Sequence, residues 1–147
     1  MTDARGLLDT STLLLLPRIA DPAMLPDVPS ISAITLAELS VGPLVTDDPD
    51  ERARRLAQVQ QAEADFDPVP FDADAARAFG QVAASLRRAG RKPAARALDA
   101  LIASIAIAND LPLYTCDPSG FAGIDGLVIR TIPHPDRPPA RRTERRR

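Results

Sequence analysis

Tryptophan is absent from this chain of 147 residues, and cysteine and histidine each occur only once. The single cysteine, Cys116, cannot form an internal disulfide, which is typical of a protein in a reducing compartment. The single histidine, His134, lies in a segment rich in proline and arginine, which argues against catalysis by paired histidines. Only 3% of the residues are aromatic, so we do not expect an aromatic platform that stacks single-stranded bases.

Long apolar runs are also missing. No stretch approaches the roughly 20 apolar residues that a membrane-spanning helix needs. The run of leucines at 13–16 is too short for the apolar region of a signal peptide, and Asp9 precedes it. We therefore expect a cytoplasmic protein that has no membrane partner.

Several catalytic signatures are absent as well. The only lysine, Lys92, does not belong to a Gly-Lys-Ser/Thr phosphate-binding loop, and no G-x-S-x-G nucleophile motif occurs. A phosphatase of the haloacid-dehalogenase type would carry a second acid two residues after Asp9, where this chain has Ser11. Because no ordered histidine is expected near Cys116, we interpret this residue as a small buried strand residue rather than a nucleophile.

The rest of the composition, with 45% apolar residues, is that of one globular domain. Short apolar segments between turns predict strands at 6–9, 28–32, 66–70, 111–114 and 127–132. Helical spacing predicts helices from about residue 13 and over 32–42, 50–64, 71–89 and 97–108. This alternation favours an α/β fold, with a mainly parallel sheet of about four to five strands flanked by helices. We expect residues 1–132 to form this domain and the Pro/Arg-rich residues 133–147 to form a disordered tail.

Four acidic residues are placed where they could share one site. Asp9 ends one predicted strand and Asp117 follows another, and parallel strands end at the same edge of a sheet. Glu38 and Asp99 lie on the apolar faces of predicted helices. Because desolvating an ionised carboxylate costs several kcal/mol, an acid on such a face needs compensation. Right-handed crossovers can bring all four acids together, so we expect one acidic site.

A cluster of carboxylates suggests a bound cation. Oxygen ligands favour a hard ion, Mg²⁺ or Mn²⁺, over zinc, which prefers histidine and cysteine. Such an ion lowers the pKa of a bound water and stabilises the charge that develops on a phosphodiester under attack. The predicted chemistry is therefore hydrolysis at phosphorus.

A basic cluster lies directly upstream of Asp99. Its five members are Arg87, Arg88, Arg91, Lys92 and Arg96. The dipole at the end of the preceding helix accounts for the first two, and we interpret the whole cluster as a surface that binds a nucleic-acid backbone. The C-terminal tail is basic too, and both RNA attraction and a dispensable extension remain open for it.

Four segments carry a recognisable pattern in their order along the chain. They are Leu7-Leu8-Asp9-Thr10-Ser11, Ile34-Thr35-Leu36-Ala37-Glu38-Leu39, Arg96-Ala97-Leu98-Asp99-Ala100-Leu101-Ile102-Ala103, and Tyr114-Thr115-Cys116-Asp117 with Phe121. Together they resemble the motifs of PIN-domain ribonucleases, and more closely those of the VapC-like toxins of type II (VapBC) toxin–antitoxin systems. No single segment is specific, but the set of four is.

The resemblance implies an endoribonuclease toxin that depends on Mg²⁺ or Mn²⁺ and is inhibited by a cognate antitoxin. It also implies a homodimer and a structured RNA substrate such as tRNA or ribosomal RNA. The resemblance places Asp9, Glu38 and Asp99 at the core catalytic and metal-ligand positions and Asp117 at the fourth acidic position. Ser11 and Thr115 would be supporting hydroxyls.

Two alternatives remain open at this point. Many relatives carry acids just before the phenylalanine, where this chain has Ser119 and Gly120. Asp117 is therefore either the fourth ligand or a turn residue before Pro118. The second alternative concerns function, because the acidic pocket of a non-catalytic α/β module could bind a basic segment of a partner protein.

Overall fold

The computed structural model describes residues 3–137 and shows nine regular elements within them. The strands are β1 (Arg5–Leu8), β2 (Val28–Ser30), β3 (Leu113–Thr115) and β4 (Ile129–Thr131). The helices are α1 (Thr10–Leu15), α2 (Ala33–Val41), α3 (Pro49–Asp65), α4 (Ala73–Arg88) and α5 (Ala97–Ala108). Short 3-10 turns link several of them, among them Pro93–Arg96 before α5 and Pro118–Phe121 after β3.

The four strands form one sheet in the order β2-β1-β3-β4, and every neighbouring pair is parallel. In the two central strands Leu8 is paired with Tyr114, so the residues that follow β1 and β3 leave the sheet at the same edge. The α/β fold and the parallel sheet flanked by helices are thus confirmed. This edge is where open α/β sheets place their ligands.

The strand expected at residues 66–70 is wrong. Only Val69 makes a parallel bridge, to Ser32, and it does so through hydrogen bonds to the residues on either side of that serine. Pro68 and Pro70 fix φ at about −65°, whereas a regular parallel strand has a φ of about −120°, so the flanking backbone does not extend the bridge into a strand. The sheet among the described residues therefore has four strands.

Helix α5 is the central helix of the core, with the bounds that its spacing predicted. Its side chains Ile102 and Ile105 are fully buried and pack in one cluster with Leu7 of β1 and Leu113 of β3. Helix α4 covers α5 from the other side, with Val82 and Leu86 buried. Although α5 is largely apolar, no helix in the described range 3–137 has the length and hydropathy needed to cross a membrane.

The predicted disordered tail begins with five residues that the structure describes. Ile132 is 1% exposed, and Asp136 pairs with Arg18 at the surface. The backbone N–H of Arg137 donates to the carbonyl of His134, which closes a turn. Residues 133–137 thus make defined contacts, and the predicted boundary at residue 132 stays a prediction. The prediction for 138–147 lies outside the described residues.

Candidate active site

Asp9 is the most firmly held of the four acids. It follows β1 directly, is 5% exposed and caps the N-terminus of α1. The backbone N–H of Thr12 donates to its Oδ1 at 3.0 Å, and the hydroxyl of Thr115 donates to its Oδ2 at 2.7 Å. The hydroxyl of Ser11 lies 3.4 Å from both carboxylate oxygens.

Glu38 reaches the same region from α2. Its side chain is half-buried, and the hydroxyl of Thr10 donates to its Oε1 at 3.0 Å. Burial raises the pKa of Glu38, and the nearby carboxylates of Asp99 and Asp9 raise it further, while the bond from Thr10 acts in the opposite direction. Glu38 is therefore within electrostatic range of both acids.

Asp99 lies in the first turn of α5, where the helix dipole favours a negative charge. Burial raises its pKa, Arg96 opposes that shift, and the charges of Asp9 and Asp117 add to it. A guanidinium nitrogen of Arg96 is 3.5 Å from Oδ2 of Asp99. The neighbouring Leu98 is 48% exposed.

Gly120 leaves the space beside Asp99 free. A Cβ at this position would lie 3.0 Å from Oδ2 of Asp99 and 3.1 Å from a guanidinium nitrogen of Arg96. Any larger residue would therefore press on both charged groups. The sequence showed only that an acid common in relatives is missing here, and it did not reveal what the glycine permits.

Asp117 follows β3 and starts the turn Pro118–Phe121. Its backbone N–H donates to the hydroxyl of Thr115 at 2.9 Å, and the Ser119 hydroxyl donates to its carboxylate at 2.6 Å. The bond from Ser119, and beyond it the charges of Arg137 and Arg96, lower the pKa of Asp117. Thr115 thus contacts both the carboxylate of Asp9 and the backbone of Asp117. Asp117 is a turn residue that also lines the cavity of the other acids, and its role as the fourth ligand stays a prediction.

All four acids line one open cavity of about 280 Å³, together with Thr10 and Ser11. Within residues 3–137, however, no three Asp, Glu, His or Cys side chains lie close enough together to form a ready-made metal site. The donors are oxygen atoms throughout, which suits Mg²⁺ or Mn²⁺, and Mg²⁺ commonly keeps several of its waters. A cavity of this size has room for such waters, and burial, with a smaller effect of the neighbouring carboxylates, raises the pKa of Glu38 and of Asp99. The residues present therefore fit a hydrated hard cation.

The members of the predicted basic cluster make different contacts. Arg88 pairs with Asp125 at 2.9 Å, and Arg96 contacts Asp99. Arg91 donates to the backbone carbonyls of Ser119 and Ala122 at 3.2 and 2.7 Å, so it braces the turn that follows Asp117. The two remaining members, Arg87 and Lys92, are exposed.

Sequence reasoning missed three residues of the site besides Gly120. The backbone N–H of Thr12 donates to the carboxylate of Asp9, the N-cap of α1. The spacing of three residues between them is the usual signature of an N-cap. Thr10 bonds Glu38 across the cavity, and Thr35 bonds Thr10. These last two contacts join residues at least 25 positions apart in sequence, so no local pattern could indicate them.

Comparison with known proteins gives a consistent result. The family model described as PIN domain matches residues 7–127. Ribonuclease VapC5 of Mycobacterium tuberculosis is 39% identical over 129 residues, covering 86% of this chain and 93% of the relative. Ribonuclease VapC4 of the same organism is 30% identical over 102 residues, covering 69% and 75% of the respective chains.

A solved structure shows the same similarity in three dimensions. It is a crystal structure of VapBC-5 from Mycobacterium tuberculosis, described as a member of the VapBC family of toxin–antitoxin systems. The match has a TM-score of 0.74 at 36% sequence identity, and it covers 88% of this chain and 99% of the matched chain.

Proposed function

This chain belongs to the PIN-domain family and is the ribonuclease toxin of a VapBC-type module, and we propose that it cleaves RNA with a divalent cation held by its acidic cavity. The observation that carries this proposal is the convergence of four acids, from two strand ends and two helices, on one cavity. The ribonuclease relatives favour this interpretation over a non-catalytic module that only binds a basic segment.

Asp9, Glu38 and Asp99 would hold the cation, with Asp117 as the fourth acid. A bound Mg²⁺ or Mn²⁺ would make water more acidic and stabilise negative charge on the phosphodiester. Hydrolysis forms a new bond from the water oxygen to phosphorus and breaks the bond from phosphorus to the leaving ribose oxygen, which takes up a proton.

The residues of the chain prepare this reaction in two ways. Thr12 and Thr115 fix both oxygens of Asp9, so this carboxylate needs no reorganisation when an ion arrives. Arg96 stands at the rim beside Asp99, where its guanidinium can contact an incoming phosphate. The exposed Arg87 and Lys92 add positive charge along the approach.

A cleavage assay tests the metal requirement. Purified protein would be incubated with a mixture of tRNA and ribosomal RNA in EDTA, and then with added Mg²⁺ or Mn²⁺. We expect cleavage only after the ion is added, and none with Asp9→Asn at any ion concentration. Equal cleavage in EDTA would contradict the metal-dependent mechanism.

The cognate partner of this toxin is an antitoxin, as in the VapBC complexes that it resembles. We propose further that the free toxin is a homodimer and that its substrate is a structured RNA. Light scattering after size-exclusion chromatography would test the first point. A monomer at micromolar concentration would contradict it. Mapping the RNA ends produced in cells by wild type and by Asp9→Asn would identify the substrate.

A further inference from the structure

From a chain of three hydroxyl groups in the structure, we infer that Thr10 is a positioning residue, which with Thr35 and Ser32 behind it directs the carboxylate of Glu38 into the acidic cavity. The inference rests on the proposed function, because it names what prepares Glu38 to hold the ion. The hydroxyl of Thr10 is 3.0 Å from Oε1 of Glu38 and 3.0 Å from the hydroxyl oxygen of Thr35. The hydroxyl oxygen of Ser32 lies 3.4 Å from the hydroxyl oxygen of Thr35.

Counting protons shows in which direction the three hydroxyl groups donate their hydrogen bonds. An ionised carboxylate can only accept hydrogen bonds, so Thr10 must donate its single hydroxyl proton to Glu38. Thr35 must then donate to Thr10, and Ser32 donates to Thr35. All three donors point toward Glu38, and hydrogen bonds arranged head to tail in this way strengthen one another.

Burial makes the arrangement rigid. Ser32 and Thr35 are fully buried, and the oxygen of Ser32 also accepts the backbone N–H of Thr35 at 3.1 Å as the N-cap of α2. The hydroxyl chain therefore starts at the first turn of α2, crosses to α1 at Thr10 and returns to α2 at Glu38. It connects the two helices at the cavity wall.

Metal binding measured by calorimetry tests this role, with Mn²⁺ as the probe. Thr10→Val keeps the shape of the side chain but removes the proton donor, and we expect it to weaken Mn²⁺ binding about tenfold, as loss of an outer-shell partner commonly does. Thr10→Ser restores the hydroxyl and should bind within about threefold of wild type. Thr35→Val should cost less than Thr10→Val, because Thr10 can still donate to Glu38.

The controls separate positioning from folding. Thr46→Val removes a hydroxyl from the loop before α3, outside the residues that line the acidic cavity, and should leave Mn²⁺ affinity unchanged. For Thr10→Val we expect a lower kcat for RNA cleavage and an unchanged KM, in a protein that still unfolds in one cooperative transition.

Three results would overturn the inference. They are wild-type Mn²⁺ affinity in Thr10→Val, failure of Thr10→Ser to restore binding, and a larger loss in Thr35→Val than in Thr10→Val. If the wild-type protein bound no Mn²⁺, the proposed function itself would fail. Failure of the inference alone would leave Mn²⁺ binding by the wild type intact, so the two failures are distinguishable.

Discussion

The acidic cavity and the basic cluster are built on different principles, although both look like simple clusters in the sequence. Four acids from distant parts of the chain converge on one cavity of about 280 Å³. Five bases that lie within ten positions of one another take separate roles, since Arg88 pairs with Asp125 and Arg91 braces a turn. Proximity in sequence thus does not by itself indicate shared contacts, whereas strand-end topology does bring distant acids to one cavity.

The difference has a physical cause. Asp9 and Asp117 follow parallel neighbouring strands, so the register of the sheet fixes their separation. Long basic side chains at a helix end can reach whichever carbonyl or carboxylate lies nearby. Arg91 contacts the carbonyls of Ser119 and Ala122, two partners that the sequence gives no means of choosing.

The largest effect should come from the acids. Asp99→Asn preserves the shape of the side chain but removes a charge that the proposed ion needs, and we expect RNA cleavage to fall by at least about 100-fold, the upper end of losses seen for outer-shell partners. The cleavage rate would be measured under single-turnover conditions in saturating Mg²⁺, with the exposed Asp47→Asn as the matched control. If Asp99→Asn kept more than a tenth of the wild-type rate, the contrast between the acidic cavity and the basic cluster would fail, because the acids would then matter no more than the bases.

Arg91 should behave as a structural residue despite its charge. Arg91→Gln removes both bonds to the turn that carries Asp117 and Gly120, and we expect a stability loss of about 1 kcal/mol in urea unfolding. Cleavage should fall because the turn moves, while the salt dependence of RNA binding stays as in wild type. If the salt dependence weakened and stability did not change, Arg91 would belong with the RNA-binding residues that the sequence suggested.

Burial of the acids, together with the repulsion between them, should appear as a pH dependence of stability. Because the pKa of Glu38 and of Asp99 is raised in the fold, the folded protein binds more protons than the unfolded chain between the ordinary and the raised pKa values. Stability of the metal-free protein therefore falls as pH rises through that window and stays lower above it.

Removing one of these charges should recover the lost stability. Asp99→Asn in EDTA should melt about 2 °C higher than wild type at pH 7.5. The difference should vanish at a pH below the ordinary carboxyl pKa, where Asp99 is protonated in both states. A destabilised Asp99→Asn at pH 7.5 would show that Arg96 more than offsets the repulsion.

The smallest effect should come from the exposed bases. Replacing Arg87 and Lys92 together by glutamine removes two charges that can contact phosphates, which should lower the slope of log affinity against log salt by about 1.4 for single-stranded RNA. Binding to the inactive Asp99→Asn background would be measured between low and moderate salt. An unchanged slope would exclude these two bases from the RNA surface.

Much of the fold was accessible from the sequence because local patterns determine it. The apolar spacing of α5 and the strand-then-acid pattern at Asp9 depend on neighbours within a few positions. The strand expected near Val69 is a single bridge, because the prolines on both sides of it hold φ away from the value of a regular strand. The four acids could be placed together because parallel topology makes strand ends meet at one edge.

The remaining features of the site depend on contacts between distant residues. The bonds that Thr10 makes to Thr35 and Glu38 exist only once α1 and α2 are packed together. The need for Gly120 is visible only when Asp99 and Arg96 are seen beside it. No spacing rule reports such contacts, because they are set by the packing of whole elements.

The most direct test of the central claim is calorimetric titration of Mn²⁺ into metal-free wild type, Asp99→Asn and Asp47→Asn. If the acidic cavity is a cation site, wild type and Asp47→Asn will bind Mn²⁺ with the same affinity, and Asp99→Asn will bind at least about tenfold more weakly. Equal affinity in all three proteins, or no binding by wild type, would contradict the account.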